Sequence, residues 1–302
     1  MKGAQFLLDA RLALDVLSAA DRIGLFAALS ERPFHADALS RRCDLVPSRM
    51  RRLLRALEVL SLAQFTERGW ISCGPVTAVR GLLVERDLVA ALRSGPAVDA
   101  SVSEDAAVLY QQGAIWLARM MAEPAAELAP SLSGLGPDVL ELGAGAMPWG
   151  LALGDEVSLT GVDLPAVVHA VRDWVANQAD VSWIEGDLFT VPLPKDHFDL
   201  VLVPNLLHLF SPSRNEALLR RAVAVTRRGG CVAIIDALRA DGEPADRSRA
   251  LYDMSLASRT GEGRVYDEAE LRNWLKTVGL TPTTRVRTDV SPRMDLLLAV
   301  CT

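Results

Sequence analysis

A glycine-rich turn lies within residues 139–150, VLELGAGAMPWG, and its backbone could approach a nucleotide-like ligand closely. The apolar run at its start predicts a buried strand, and Gly143 and Gly145 follow that strand directly. A dinucleotide-binding turn needs a third glycine, where the next helix packs closely, and this chain has Pro148 at that position. The match to a pyrophosphate-binding turn therefore fails, although Pro148 suits the first turn of a helix.

Carboxylates around this turn indicate which charge the ligand carries. Glu141 precedes the glycines, Asp163 ends the second predicted strand, and Asp187 ends the third. A carboxylate after the second strand suits the two hydroxyl donors of a ribose, with a helix cap or a surface position as the alternative for Asp163. Glu141 would repel a pyrophosphate and attract a cation. These residues favour a cationic nucleoside such as S-adenosylmethionine, which carries an ammonium and a sulfonium group and no phosphate.

His208 is the candidate site residue among the four histidines. It follows the fourth predicted strand, at the sheet edge where doubly wound folds bind ligands. An imidazole titrates close to neutrality, so a histidine at this edge can exchange a proton with a bound ligand. The other three histidines, His35, His169 and His197, are expected to have surface or structural roles.

The elements that must position these side chains alternate between strands and helices from residue 135 onwards. The predicted strands are 138–143, 157–163, 181–187, 198–204 and 231–237. This alternation indicates an α/β fold with a parallel sheet that is covered on both faces. The tail, TTRVRTDVSPRMDLLLAVC, predicts two more strands around a turn at 289–292 with no helix between them, so we expect the last strand to be antiparallel.

The first hundred residues lack this alternation and have the pattern of a winged helix. The segments ADALSRRCD and RMRRLLRALEVLSL predict two helices, Ser48 is a plausible N-cap of the second, and AQFTERGWISC predicts a hairpin with Arg68-Gly69 at its turn. The second helix is rich in arginine, so a DNA-binding ligand sensor is one alternative. A net charge of −6 argues against nucleic-acid binding. A winged helix can equally serve as a dimerisation module.

Composition excludes several other classes. The chain has 302 residues, half of them hydrophobic, without a long apolar span or a signal-peptide pattern. Its four cysteines are scattered without metal-ligand spacing, so free thiols are expected. We expect a cytoplasmic protein that binds no metal, no membrane and no nucleic acid.

These segments together resemble the class I S-adenosylmethionine-dependent small-molecule O-methyltransferases of the plant caffeate and bacterial natural-product type. The matching motifs are VLELGAG, GVDLPAVV, EGDLF, NLLHLFSPSRNEALLRRAVAVTRRGG and GEGRVYDEAELRNWLKTVGL. The resemblance covers essentially the whole chain. It implies a mainly helical winged-helix dimerisation domain at 1–100, connecting helices that line the acceptor pocket at 101–134, and a Rossmann-like domain with a mostly parallel seven-stranded sheet at 135–302. It also implies a homodimer that forms through the N-terminal domain.

The resemblance assigns site residues along the carboxyl ends of the strands. The implied cofactor is S-adenosylmethionine, with S-adenosylhomocysteine as product. Its expected contacts are Glu141, Gly143 and Gly145 at the methionine moiety, Asp163 and Leu164 at the ribose and the adenine edge, Asp187, Leu188 and Phe189 around the adenine, and Asn205 where cofactor and acceptor meet. The expected acceptor contacts are Tyr110, Trp116, Met120, Trp149, His208, Met254 and Ser258, with core packing as the alternative for the apolar ones.

The implied activity is methylation of a hydroxyl, phenolic in most members, on a secondary metabolite, with His208 as general base. The family has a glutamate just before the arginine of the GEGR region, where this chain has Gly263. Glu262, one residue earlier, is therefore the candidate carboxylate partner of His208. Methylation at carbon or nitrogen, cyclisation and hydroxylation remain alternatives, because altered members of the family use the same scaffold and cofactor. Met147 and Trp149 also add bulk where the family often has a third glycine.

Overall fold

The computed structural model describes residues 2–73, 92–94, 104–239, 247–290 and 292–301. It divides into two compact units, Met1–Glu85 and Arg86–Thr302. The expected domain boundary at residue 100 lies outside the described residues. Within the described residues, no helix is long and apolar enough to cross a membrane.

The described part of the first unit has the helix, helix, hairpin order of a winged helix. Its elements are α1 (Lys2–Arg22), α2 (Leu25–Glu31), α3 (Ala36–Arg42), α4 (Pro47–Val59), β1 (Ala63–Thr66) and β2 (Gly69–Ser72). The expectation that Ser48 is the N-cap of α4 is wrong. The helix begins at Pro47, whose fixed φ suits the first helical position, and Val46 is the N-cap.

The second unit contains the predicted alternation of strands and helices. Its elements are α5 (Glu104–Leu132), β3 (Asp138–Leu142), α6 (Pro148–Leu151), β4 (Ser158–Asp163), α7 (Pro165–Ala176), β5 (Val181–Glu185), β6 (Phe198–Pro204), a 3₁₀ turn (Leu207–Leu209), α8 (Pro212–Val225), β7 (Thr226–Asp236), α9 (Arg247–Ala257), α10 (Glu268–Thr277), β8 (Leu280–Arg287) and β9 (Asp295–Cys301).

The seven described strands of this unit form one sheet in the order β5-β4-β3-β6-β7-β9-β8. Strands β3 to β7 are parallel to one another, whereas β9 is antiparallel to both β7 and β8. This confirms the predicted α/β fold and the antiparallel last strand. Chain order reverses at β3, between β4 and β6, and such a switch point leaves a crevice beyond the carboxyl ends of the strands.

Strand β7 begins at Thr226, five residues before the predicted start. The added residues, TRRGG, are polar, so the apolar pattern could not reveal them. Thr226 pairs with Phe198 ahead of a bulge, and the guanidinium of Arg227 lies 2.7 Å from Asp138 and 2.9 Å from Asp199. Arg227 therefore links the starts of three neighbouring strands.

A buried asparagine fixes the 3₁₀ turn between β6 and α8. Asn215 of α8 is fully buried, and its Nδ2 donates to the carbonyls of Leu207 at 2.9 Å and Phe210 at 3.3 Å. These two carbonyls flank His208 in the chain. Because buried carbonyls need donors, Asn215 stabilises the conformation of the segment that carries His208.

We expect Asn215→Ala to lower the free energy of unfolding by about 1–3 kcal/mol, since it leaves two buried carbonyls without this donor. Chemical denaturation measures the change. Asn177→Ala is the matched control: Asn177 is exposed, and its Nδ2 also donates to a backbone carbonyl, that of Asp173. The control should change stability by less than about 0.5 kcal/mol. Equal losses in the two variants would contradict a special role for Asn215.

Candidate active site

The glycine turn between β3 and α6 has a backbone that only glycine adopts readily. Gly143 has a φ of 62° and Gly145 a φ of 52°, both in the left-handed region. A Cβ on Gly143 would also come within 2.6 Å of the Leu206 side chain. The two glycines are therefore required by the path of the chain, which brings backbone amides to the crevice beside β3.

Glu141 lies buried beneath this turn. Its Oε2 accepts from the Gly150 amide at 2.7 Å, and its Oε1 has no hydrogen-bond partner among the described residues. Burial raises the pKa of Glu141 to about 8, the Gly150 amide opposes that rise, and the negative charge of Asp163 adds to it. The carboxyl group thus anchors α6, and it keeps one oxygen without a donor.

Asp163 connects the end of β4 to the same turn. Its Oδ2 accepts from the Gly145 amide at 2.7 Å, and its Oδ1 accepts from the Leu164 amide at 2.7 Å. Burial raises the pKa of Asp163 to about 6, while the two amides oppose the rise. Leu164, rather than Asp163, is the N-cap of α7. The structure therefore brings Glu141, Gly145 and Asp163 together at the switch point of the sheet.

The residues after β5 offer a carboxylate next to apolar surface. Asp187 is exposed, and its Oδ1 accepts from the Phe189 amide at 2.8 Å. Leu188 and Phe189 are half-buried against the core, and the Phe189 ring meets Phe210 edge to face at 5.1 Å. This combination can accept hydrogen bonds and contact a flat ring.

Trp149 lies in the core, although sequence analysis assigned it to the acceptor site. Its side chain is 2% exposed, and its Nε1 donates to Asn205 Oδ1 at 3.2 Å. Met147 and Asn205 both have positive φ, 59° and 52°. Positive φ costs a residue with a side chain about 1 kcal/mol. The Trp149 hydrogen bond and the full burial of Met147 hold these two strained positions on either side of the crevice.

His208 is buried, with 4% of its surface exposed, and pairs with a carboxylate that sequence analysis missed. Its Nδ1 lies 2.7 Å from Asp236 Oδ1, and its backbone amide donates to Asp236 Oδ2 at 3.2 Å. The assignment of Glu262 as the partner is wrong, because Asp236 makes this contact and Glu262 is exposed. Asp236 ends β7, next to β6, so the meeting of neighbouring strand ends could have identified it.

The other ring nitrogen of His208 faces a phenol. Tyr252 of α9 has its hydroxyl 2.8 Å from His208 Nε2, and Arg259 donates to that hydroxyl at 3.0 Å. Sequence analysis placed Met254 and Ser258, from the same region, near the acceptor but did not predict the contact of Tyr252 with His208. A spacing pattern could not reveal it, because the two residues lie 44 positions apart.

The remaining acceptor candidates lie on α5 and in the region of α9. The side chain of Tyr110 is outside the described side chains. Trp116 and Met120 are half-buried on α5. Met254 is 39% exposed on α9, and Ser258 is half-buried just after that helix, with its Oγ donating to the Ser255 carbonyl. Their contact with an acceptor stays a prediction.

Known proteins share this sequence pattern and fold. Residues 143–281 match the O-methyltransferase domain family. Over 117 residues, 39% of this chain and 33% of the relative, the chain is 33% identical to the tetracenomycin polyketide synthesis 8-O-methyl transferase TcmO of Streptomyces glaucescens. Over 134 residues, 43% of this chain and 38% of the relative, it is 32% identical to the 3-hydroxy-5-methyl-1-naphthoate 3-O-methyltransferase of Streptomyces sahachiroi. The matches thus span only about a third of the length of these curated relatives.

The likeness in fold extends over almost the whole chain. The crystal structure of human N-acetylserotonin methyltransferase in complex with S-adenosylmethionine has a TM-score of 0.72 at 19% identity, over 99% of this chain and 98% of that one. The family match begins at the glycine turn and continues through the His208 segment and the end of β7. Over residues 143–281, which include this site, the chain is therefore similar to the O-methyltransferase domain family.

Proposed function

We propose that this protein is an S-adenosylmethionine-dependent O-methyltransferase that methylates an aromatic hydroxyl of a secondary metabolite. The observation that carries the proposal is the buried pair of Asp236 and His208, whose second ring nitrogen lies 2.8 Å from the Tyr252 hydroxyl and can accept a proton. The names of the two Streptomyces relatives support an acceptor of this class, since both act in O-methylation and one acts on a hydroxynaphthoate.

The residues at the switch point fit a positively charged nucleoside. Glu141 offers a buried oxygen without a donor, and Asp163 lies next to it, so a cation placed near them would stabilise the charged form of both carboxylates. In this proposal Glu141, Gly143 and Gly145 bind the methionine moiety and Asp163 accepts from the ribose hydroxyls. When bound, S-adenosylmethionine supplies a methyl group on a sulfonium centre.

The apolar residues complete the proposed cofactor site. Leu164, at the end of β4, and the half-buried Leu188 and Phe189 contact the adenine, and Asp187 accepts a hydrogen bond at its edge. Asn205 follows β6 and is held by Trp149, so its backbone lies where cofactor and acceptor would meet. The chain would thus hold the two reactants in contact, the main source of rate in a displacement of this kind.

His208 supplies the chemistry that positioning alone lacks. Asp236 accepts from Nδ1–H and fixes the imidazole so that Nε2 presents its lone pair. When Nε2 takes a proton, the buried Asp236 carboxylate stabilises the imidazolium. A buried carboxylate and imidazole pair supports removal of a hydroxyl proton, and it gives less support to reactions such as cyclisation, in which a bound cation could act without a base.

A homodimer is also proposed, as in the family that the sequence resembles. The first unit has large apolar side chains at its surface, among them Leu12, Val59 and Phe65. A second chain that packs on this unit would remove such apolar surface from water. Analytical ultracentrifugation of the full chain should give twice the monomer mass of 32.6 kDa. A single monomeric species at micromolar concentration would refute this part of the proposal.

We expect His208→Ala to lower kcat by about 10²–10⁴-fold, because it removes the general base. Binding of S-adenosylhomocysteine, measured by calorimetry, should change by less than about twofold, since His208 lies outside the proposed cofactor contacts. His169→Ala is the matched control, because His169 is exposed on α7. Turnover of the His208 variant at the rate of the unaltered protein would remove it as the base.

Affinity for S-adenosylhomocysteine should rise with pH between about 5 and 7.5. The ligand-free protein holds protons on Asp163 up to a pKa of about 6 and on Glu141 up to a pKa of about 8. A bound ammonium group and ribose hydroxyls favour the ionised carboxylates, so binding releases protons and is opposed by acid. The pH series is measured by calorimetry.

Two controls isolate the contribution of Glu141 to the pH dependence of S-adenosylhomocysteine affinity. Glu141→Gln should flatten the upper part of this pH dependence, since the amide does not ionise. Adenosine, which lacks the ammonium group, should show a weaker dependence than S-adenosylhomocysteine in the unaltered protein. Affinity that is constant or falls with rising pH would contradict the assignment of Glu141 to the cationic end of the ligand.

A further inference from the structure

We propose that Tyr252 is a catalytic residue that relays the acceptor proton to His208. The acceptor hydroxyl gives its proton to the Tyr252 oxygen, and Tyr252 gives its own proton to His208 Nε2. This inference rests on the proposed O-methyl transfer and adds to it the group that touches the acceptor. It starts from four side chains in a row, Asp236, His208, Tyr252 and Arg259.

The distances in this row are all those of hydrogen bonds. Asp236 Oδ1 lies 2.7 Å from His208 Nδ1, the Tyr252 hydroxyl lies 2.8 Å from Nε2, and Arg259 lies 3.0 Å from the same hydroxyl. The rings of His208 and Tyr252 meet edge to face, with centroids 5.3 Å apart and planes at 71°. The four groups therefore form one continuous chain of hydrogen bonds.

The chemistry of the two ends fixes the direction of the protons. Arg259 only donates, so the Tyr252 oxygen accepts from it. A carboxylate only accepts, so the neutral imidazole carries its proton on Nδ1, towards Asp236. Nε2 then has a lone pair, and the Tyr252 O–H points at it. In the resting protein, the proton nearest to the base is thus that of Tyr252.

Burial makes direct contact between the acceptor and His208 difficult. His208 is 4% exposed, Nδ1 is occupied by Asp236, and Nε2 is faced by Tyr252. Tyr252 itself is half-buried, and Met254, on the same helix, is 39% exposed. An acceptor that enters beside α9 therefore meets the Tyr252 oxygen before it meets the imidazole.

Arg259 supplies the charge that a relay requires. Its guanidinium cation lies beside the oxygen that becomes negative when Tyr252 gives up its proton. Its Cζ is 5.4 Å from the Tyr252 ring centroid, so the cation is close to the whole phenol. Developing negative charge on the Tyr252 oxygen is stabilised by this fixed cation.

The relay balances in protons and charge. The acceptor O–H bond breaks as its oxygen bonds to the methyl carbon and the carbon–sulfur bond breaks, and the released proton forms a new O–H bond on Tyr252. The original Tyr252 O–H bond breaks and an N–H bond forms at His208 Nε2. The imidazolium stays paired with Asp236, and it loses its extra proton to solvent after product release.

Tyr252→Phe tests the relay because it removes the phenol oxygen and keeps the ring. We expect kcat to fall by at least about 10²-fold. The affinity for S-adenosylhomocysteine should stay within about twofold of that of the unaltered protein. An unchanged or higher kcat would overturn the proposal, because Tyr252 would then only cover His208 until the acceptor displaces it.

A second measurement, which needs no turnover, detects the hydrogen bond between Tyr252 and His208 directly. With histidine labelled by nitrogen-15, the His208 Nε2 resonance of the ligand-free protein should shift in Tyr252→Phe as its lone pair loses a donor, while Nδ1 keeps its proton. Nε2 resonances that coincide in the two proteins would show that the hydroxyl does not donate to the base, and would overturn the relay.

Tyr266→Phe is the matched control, since Tyr266 donates its hydroxyl to the Phe210 carbonyl and not to His208. It should lower thermal stability and leave kcat within about threefold, because it loses one buried hydrogen bond. A loss of kcat equal to that of Tyr252→Phe would assign both effects to structure and overturn the relay. The unaltered protein separates this test from the proposed function, because the absence of methylated product there refutes O-methyl transfer itself.

Discussion

The buried carboxylate of Asp236 is the group on which the arrangement around His208 depends. It is 1% exposed and receives the imidazole Nδ1–H and the backbone amides of His208 and Ala237. A buried charge is tolerated only when donors surround it, and here the donors come from two neighbouring strand ends. The ring of His208 is therefore held in one orientation and one tautomer. The properties of Nε2 follow from that constraint.

The same principle operates at the glycine turn, with a different outcome. Glu141 is buried and Asp163 is half-buried, and their backbone donors only partly offset the loss of water, so desolvation raises the pKa of both carboxyl groups. Asp236 accepts from the donors of two neighbouring strand ends, whereas Glu141 retains an oxygen without a donor among the described residues. A positively charged ligand would supply the missing donor to this oxygen, and a buried acid can contribute to binding in this way.

The elements of the α/β unit were largely predictable, because buried parallel strands are continuous apolar runs. The start of β7 was not, since Thr226 to Gly230 lack large apolar side chains, and the ion pairs of Arg227 with Asp138 and Asp199 join this segment to two neighbouring strands. Ser48 failed as a cap for a local reason, because Pro47 started α4 earlier. Errors of this kind arise where one side chain overrides the pattern of its neighbours.

The sequence by itself determined the positions of the strands along the chain, the two glycines of the turn, and the acidic and histidine side chains at the strand ends. These depend on local periodicity and on backbone sterics, which neighbouring residues specify. Only the tertiary structure decided that Asp236, and not Glu262, pairs with His208, and that Tyr252 reaches Nε2 from α9. Such contacts join residues far apart in the chain. They depend on how the sheet and helices pack, which no local pattern encodes.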